Sequence, residues 1–174
     1  EEIYIEELGG ARVQAEVSGN AHFYAESELE CMEQIKRLVT FIPWSNKKKA
    51  DKFQPKQPAF SKPISEILPK EPNQPYDVRD VIKAMVDSSD FLEVQEHWAR
   101  NIVIGFARLN GETIGIIGNQ PLVLAGVLDV DSSNKAARFI RFCDAFNIPL
   151  LTLVDLPGYL PGVDQEHAGV IRHG

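Results

Sequence analysis

Apolar and polar positions recur along this chain with two periods, and the switches between them mark out its elements. Ser27-Glu28-Leu29-Glu30 has the S-x-x-E form of a capping box, and Cys31, Met32, Ile35, Leu38, Val39 and Ile42 follow at helical spacing until Pro43 ends the run. That pattern predicts an amphipathic helix. Ahead of it, Ile3-Tyr4-Ile5 alternates as a strand does, and Leu8-Gly9-Gly10-Ala11 and Ser18-Gly19 have the composition of tight turns. A second helical pattern runs from Tyr76 to Asp87, with Asp77 as N-cap and Val78, Val81, Ile82 and Met85 on one face. Ser88-Ser89-Asp90 ends it, and Phe91 to Val94 reads as a short strand.

The β-rich runs Asn101 to Leu109 and Glu112 to Ile117 flank Asn110-Gly111, the strongest two-residue hairpin signal, because both turn positions need positive φ. Ser132 or Ser133 then caps a helix through Phe146, with Ala136, Ala137, Phe139, Ile140, Cys143 and Phe146 on its apolar face and Arg138 and Arg141 opposite. Asn147-Ile148-Pro149 returns the chain to Leu150-Leu151-Thr152-Leu153-Val154, a short branched run that reads as a buried strand. The order strand, strand, helix, strand, loop, helix is a ββα unit of the α/β class. From Pro43 to Pro75 the chain carries seven of its eleven prolines (Pro43, Pro55, Pro58, Pro63, Pro69, Pro72, Pro75), which cannot sustain long regular elements and marks a boundary.

Composition narrows the function. The 174 residues are 44% hydrophobic, enough for a real core, and the net charge of -7 argues against polyanionic partners such as nucleic acid. Lys47-Lys48-Lys49 sits among polar residues as a solvated loop. Cys31 and Cys143 stand alone, which fits a reduced compartment, and no apolar stretch approaches the ~20 residues of a membrane span. The chain opens without Met and stops just after a helix pattern begins, so a piece of a longer protein is expected.

The segment Asp155-Leu-Pro-Gly-Tyr-Leu-Pro-Gly162 leaves the last strand as a stiff loop, with a helix expected from Gln165 to Arg172. Strand, stiff loop and helix start is where α/β proteins place ligands, since unpaired amides there carry partial positive charge. Other chemistry finds no support. Val154-Asp155-Leu-Pro-Gly158 imitates a GTPase turn, but no phosphate-binding G-x-x-x-x-G-K-[ST] accompanies it. Asp129-Val130-Asp131 imitates a phosphatase nucleophile pair but runs into Ser132-Ser133, and it lacks the glycine and glutamate of an EF-hand. The reading preferred for Asp131 and Ser132 is that they hydrogen-bond the opening amides of the next helix. His22, His97, His167 and His173 have no metal-ligand spacing, and no Ser or Cys nucleophile motif occurs. No metal site is expected. If the protein is an enzyme, backbone dipoles more than a side-chain nucleophile are expected to do its work, which points to oxyanion chemistry.

The residues Asn101-Ile-Val-Ile-Gly-Phe-Ala-Arg-Leu109, Asn119-Gln-Pro121, Ala125-Gly-Val-Leu-Asp129, Ser133-Asn-Lys-Ala-Ala-Arg-Phe-Ile-Arg-Phe-Cys-Asp144, Phe146-Asn-Ile-Pro-Leu150, Pro157-Gly-Tyr-Leu-Pro-Gly162 and Gln165 to Gly174 resemble the carboxyltransferase subunits of biotin-dependent acyl-CoA carboxylases, of the propionyl-CoA carboxylase β and methylmalonyl-CoA decarboxylase α type. Leu8-Gly-Gly-Ala11, Ser18-Gly-Asn-Ala-His22 and Tyr76-Asp-Val-Arg-Asp80 add further matches. The resemblance implies a crotonase-like fold in two halves, with residues 1–42 as the tail of the acyl-CoA-binding half, 43–75 as the Pro-rich connection and 76–174 as the start of the biotin-binding half. It implies a cytoplasmic or mitochondrial-matrix setting, a biotin carboxylase and biotin-carrier partner, acyl-CoA as substrate, a homo-oligomer (in the family a hexamer built from dimers), and no membrane insertion.

Gly158, Tyr159 and Leu160 would lie against the biotin pocket, their amides and apolar surfaces shaping it. The catalytic oxyanion loops of the family, both built on paired glycines, are absent, so these residues alone should be inactive. Gln14 replaces a more usual His, and Tyr159 a frequent Phe. Two other readings stand beside this one: a sodium-pumping decarboxylase complex within the same family, and a non-catalytic interaction module that packs on a partner through the helix ending at Phe146. Isolated, such a piece should dimerise or aggregate through faces left uncovered.

Overall fold

A computed structural model describes residues 3–71 and 74–174. In chain order it contains α1 (Ile5–Gly9), α2 (Ala11–Glu16), α3 (Glu28–Val39), α4 (Ile64–Ile67), α5 (Val78–Met85), β1 (Phe91–Val94), β2 (Ile102–Leu109), β3 (Glu112–Asn119), α6 (Val130–Ala145), β4 (Leu150–Leu153), α7 (Val163–His167) and α8 (Val170–His173). The strands form one mixed sheet in the order β1-β2-β3-β4, antiparallel except for the parallel β3–β4 pair. The predicted hairpin is present, with Asn110 and Gly111 at φ 53° and 78°. Its turn is held by Asp87, whose carboxylate accepts from the amides of Asn110 (3.2 Å) and Gly111 (2.6 Å).

Both faces of the sheet are covered, which explains why β2 and β3 read as nearly continuous apolar runs rather than alternating ones. On one face Ile102, Ile104, Phe106 and Ile117 pack with Phe139 and Cys143 of α6 and with Phe41. On the other, Val103, Ala107, Ile114 and Ile116 pack with Val78 and Ile82 of α5. Asp77 caps α5 as expected, accepting from the Arg79 amide at 2.9 Å.

The cap of α6 lies earlier than expected. Asp129 accepts from the Ser132 amide (2.8 Å) while Ser132 Oγ accepts from the Asp129 amide (2.9 Å), a reciprocal box that starts the helix at Val130. Ser132 thus does serve the helix start, but from the third position.

Lys135 is fully buried on α6, and its ammonium donates to the carbonyls of Gln95 (2.9 Å), Trp98 (2.7 Å), Ala99 (3.3 Å) and Ile102 (2.9 Å). Burial pulls its pKa down to about 8, with Glu93 opposing. The β1–β2 loop so organised grips the N-terminal region. Gln95 donates from its side chain to Gly19 O (2.6 Å) and from its amide to His22 O (2.8 Å). The Trp98 indole lies so close over Gly19 that a Cβ there would come within 2.3 Å of it, and Gly19 also has φ +64°. At the other end of that region, Arg108 lies between the rings of Phe41 (4.2 Å) and Phe53 (4.0 Å) and donates to Thr40 O at 2.7 Å. One side chain thereby joins the end of α3, the connection and β2.

Several expectations are corrected. Ile3-Tyr4-Ile5 is no strand: Tyr4 is an extended N-cap and Ile5 opens α1, whose first turn carries Glu6 and Glu7, charges that suit a helix start. The Gly9-Gly10 turn is only a one-residue break between α1 and α2. α3 forms with the expected Ser27 cap, but Glu30 reaches back to the Glu26 amide (2.9 Å), and Met32, Ile35 and Val39 on its apolar face are exposed. β4 is an edge strand with Leu150 exposed, where a buried strand was expected. The Gln165–Arg172 helix is split by left-handed Gly169. In the connection, α4 is the one regular element among the described residues; Pro72 lies outside them.

Candidate functional site

Parallel pairing with β3 carries β4 to the same end of the sheet as Asn119, and the loop Val154–Gly162 departs there. Parallel β-sheets place their ligands at this end, because the chain must leave the sheet while its amides are still unpaired. Three contacts set the course of the loop. The Asp155 amide donates to Asn119 Oδ1 (3.3 Å), and Tyr76 donates its hydroxyl to Asp155 Oδ2 (2.9 Å). Further on, Leu128 and Tyr159 form a parallel bridge: the Leu128 amide donates to Gly158 O (3.1 Å) and the Leu160 amide to Leu128 O (2.8 Å).

That bridge bears directly on the residues singled out from the sequence. The Leu160 amide is consumed, so only its side chain can face a ligand. The amides of Gly158 and Tyr159 have no acceptor among the described residues. Gly158 takes φ 153°, a conformation side chains resist, and the space where a Cβ would stand is open to 4 Å. A flat ligand can therefore approach the main chain closely at this point. Tyr159 is 39% exposed, and its ring lies against Gly174.

A cleft of about 650 Å³ opens on the Pro157 side of the loop, between it and the connection. Leu68, Pro69, Tyr76, Pro121, Asp155 and Pro157 are among the residues that line it. Its size suits a small ligand. Burial, reinforced by the Asp155 charge, pushes the Tyr76 hydroxyl up to about 12, so it remains a hydrogen-bond donor at neutral pH. The helix behind the loop contributes little attraction for an anion: α7 has five residues and carries Asp164 and Glu166 in its first turn.

Sequence reasoning gave no role to the side chains that build this region. Asn101, Asn119 and Gln120 are buried where the hairpin meets the 120–129 segment. Gln120 donates to Asp77 Oδ1 (2.7 Å) and accepts from the Val78 amide (3.3 Å), so it fixes α5 to the sheet. Burial alone would raise the Asp77 pKa, but the hydrogen bonds from Gln120 and Arg79 outweigh it and hold the carboxyl below its ordinary value. The available signal was a pair of carboxamides, Asn119-Gln120, ending an otherwise apolar strand. His173 and Asn134 meet at 2.9 Å, and no cluster of three or more His, Cys, Asp or Glu able to hold a metal occurs among the described residues. No described helix is long and apolar enough to cross a membrane.

The family profile described as carboxyl transferase domain matches residues 1–174. The propionyl-CoA carboxylase beta chain of Roseobacter denitrificans is 49% identical over 180 residues, a match covering 100% of this chain and 34% of the relative. The methylmalonyl-CoA decarboxylase subunit alpha of Propionigenium modestum is 48% identical over 176 residues, with 100% and 34% covered. Among solved structures, the transcarboxylase 12S hexamer with hydrolysed methylmalonyl-coenzyme A bound has a TM-score of 0.94 at 46% identity, covering 99% of this chain and 34% of that one. A single-chain, multi-domain long-chain acyl-CoA carboxylase gives 0.82 at 26% identity over 98% of this chain and 17% of its own. The chain thus spans about a third of the length of the curated relatives it matches. The architecture is the crotonase-like α/β one expected from the sequence.

Proposed function

Since the chain belongs to the carboxyl transferase domain family, we propose that it forms part of a site that moves CO2 from carboxybiotin to the α carbon of a short-chain acyl-CoA, propionyl-CoA first. The observation that carries this reading is the loop after β4, whose residues up to Pro157 line a cleft of about 650 Å³ and whose next two amides, Gly158 and Tyr159, have no acceptor among the described residues. Carboxybiotin on a carrier would supply the CO2 and the base for the α proton, while the residues of this loop would hold its ureido ring in place for the transfer. Oxyanions develop on both partners in this chemistry, and one well-placed donor to such a charge is worth about 2.7–4 kcal/mol of barrier.

The residues present fit a ureido ring. The Gly158 amide and its open space leave room for a flat polar ring, Tyr159 offers an aromatic surface, and Leu160 would add an apolar side chain. The prolines at 157 and 161 stiffen the frame and help exclude water, which would otherwise consume the CO2 and the enolate. In this reading residues 1–42 end the acyl-CoA half, 43–75 connect, and 76–174 open the biotin half. The oxyanion loops, a biotin carboxylase and carrier partner, and a homo-oligomeric assembly complete the enzyme in the cytoplasm or mitochondrial matrix.

The test is transfer from [14C]bicarbonate by the full-length protein with its biotin-carrying partner and ATP, offered acetyl-, propionyl- or butyryl-CoA. Labelled product, most with propionyl-CoA, is the expected outcome, and no label with any of the three removes the carboxylase assignment. The decarboxylase relative, 48% identical, favours a second reading in which the same site removes CO2 from methylmalonyl-CoA. Release of CO2 from that ester without acceptance of bicarbonate would select it.

A further inference from the structure

We infer that Asn119 is a positioning residue for the loop Asp155–Leu160, setting the place of the Gly158 and Tyr159 amides without itself touching the ligand. This inference rests on the reading of that loop as the biotin contact. Asn119 is the last residue of β3 and only 7% exposed. Its carboxamide bridges two chain segments: Nδ2 donates to Gly126 O (2.9 Å) and Oδ1 accepts from the Asp155 amide (3.3 Å).

A carboxamide serves both needs at once and has the length to span them. A carboxylate cannot donate to Gly126 O, a hydrocarbon does neither, and a flipped amide would set donor against donor. The two bridged segments are those that meet again at Leu128 and Tyr159. A second buried carboxamide braces the same strip, for Asn101 Nδ2 donates to Val127 O (2.7 Å). Packing there leaves no slack, since a Cβ on Gly126 would come within 2.9 Å of Asp155 O. The loop is therefore pinned at its root by Asn119 and at its middle by Leu128. Between those pins lie Leu156 and Pro157, which line the cleft, and Gly158, whose amide is unspent. Loss of the first pin lets the root shift and moves the amides off the ligand.

The test uses the full-length enzyme and transfer of CO2 from methylmalonyl-CoA to free biotin. Asn119→Leu, close in size, loses both the Asp155 and the Gly126 hydrogen bonds and should raise the KM for biotin about tenfold or more, with the KM for the acyl-CoA within about twofold. Asn119→Asp keeps the acceptor and should give an intermediate rise. Hydrogen exchange should quicken at the bonded amides of Asp155, Leu128 and Leu160 and stay unchanged in β2. Should Asn119→Leu fail to fold, Asn119→Ser is read in the same two ways. Unchanged exchange in the loop, or equal rises in both KM values, overturns the positioning role. Gly158→Val separates the two levels: if it too leaves the biotin KM unchanged, the loop is not the biotin contact and the fault lies in the functional reading.

Discussion

The helices α3 and α6 carry the same sequence signature and meet opposite fates. Each has an apolar stripe at helical spacing behind a hydroxyl or carboxylate cap that accepts from the amide three residues on. On α6 most of the stripe is spent: Phe139 and Cys143 are buried against β2 although Ile140 stays 41% exposed, and even Lys135 is drawn inside because four carbonyls await it. On α3 only Leu38 packs on the core, while Leu29 and Met32 stand 74% and 49% exposed. Periodicity therefore records that a helix needs a cover. It does not record what the cover is, and on α3 the sheet of these residues does not supply it.

The sharpest way to break the comparison is to cut the same kind of group from each stripe. Phe139→Ala should cost about 3–5 kcal/mol in denaturant unfolding, because Phe139 is buried in the core and its ring packs 5.1 Å from that of Phe106. Ile35→Ala on α3 should cost under about 1 kcal/mol in the same experiment, since Ile35 is 49% exposed. Similar costs at the two positions would show that α3 is covered in solution.

Lys135 comes next. Lys135→Met removes the donor from four carbonyls, of Gln95, Trp98, Ala99 and Ile102, and should cost about 3 kcal/mol. The exposed Lys36→Met should change stability by less than about 0.5 kcal/mol. A pH profile sharpens the point. With the folded-state pKa near 8 and the ordinary value at 10.5, the unfolded chain holds a proton between those limits that the folded chain has released. Lys135 therefore makes stability rise with pH from about 8 to 10.5, and Lys135→Met should abolish that rise. A rise that survives the substitution would assign it to another group.

The smallest difference lies at the caps. Asp129→Ala should cost about 1–2 kcal/mol, because Asp129 serves the Ser132 amide and receives the Asn101 side chain as well (3.3 Å). Ser27→Ala loses one contact at 3.2 Å and should cost about 1 kcal/mol or less. Thermal midpoints of the two variants check the order.

The same contrast explains what could be read in the sequence. The hairpin, α5 and β1 were legible because their signals are local: Asn110-Gly111 demands a turn, and Asp77 begins a helix whose stripe the sheet covers. Ile3-Tyr4-Ile5 misled because three alternating residues carry no period, and two glutamates next to them tip the balance towards a helix start. β4 was read as buried because Leu-Leu-Thr-Leu states apolar content, whereas burial depends on a neighbour beyond its open edge.

At the site, the loop itself was visible from its prolines and glycines. The bridge that consumes the Leu160 amide was not, since it depends on Leu128, thirty-two residues earlier in the chain. Nor were Asn119, whose role depends on the distant Asp155 amide, and Lys135, whose role arises only when four distant carbonyls converge on it.

The most direct measurement of the central claim is a structure of the full-length protein with biotin bound. The account predicts the ureido ring beside Gly158 and Tyr159, within hydrogen-bond distance of at least one of their two amides, with the Leu160 amide still bonded to Leu128. Biotin bound elsewhere, with those two amides facing solvent, would contradict it.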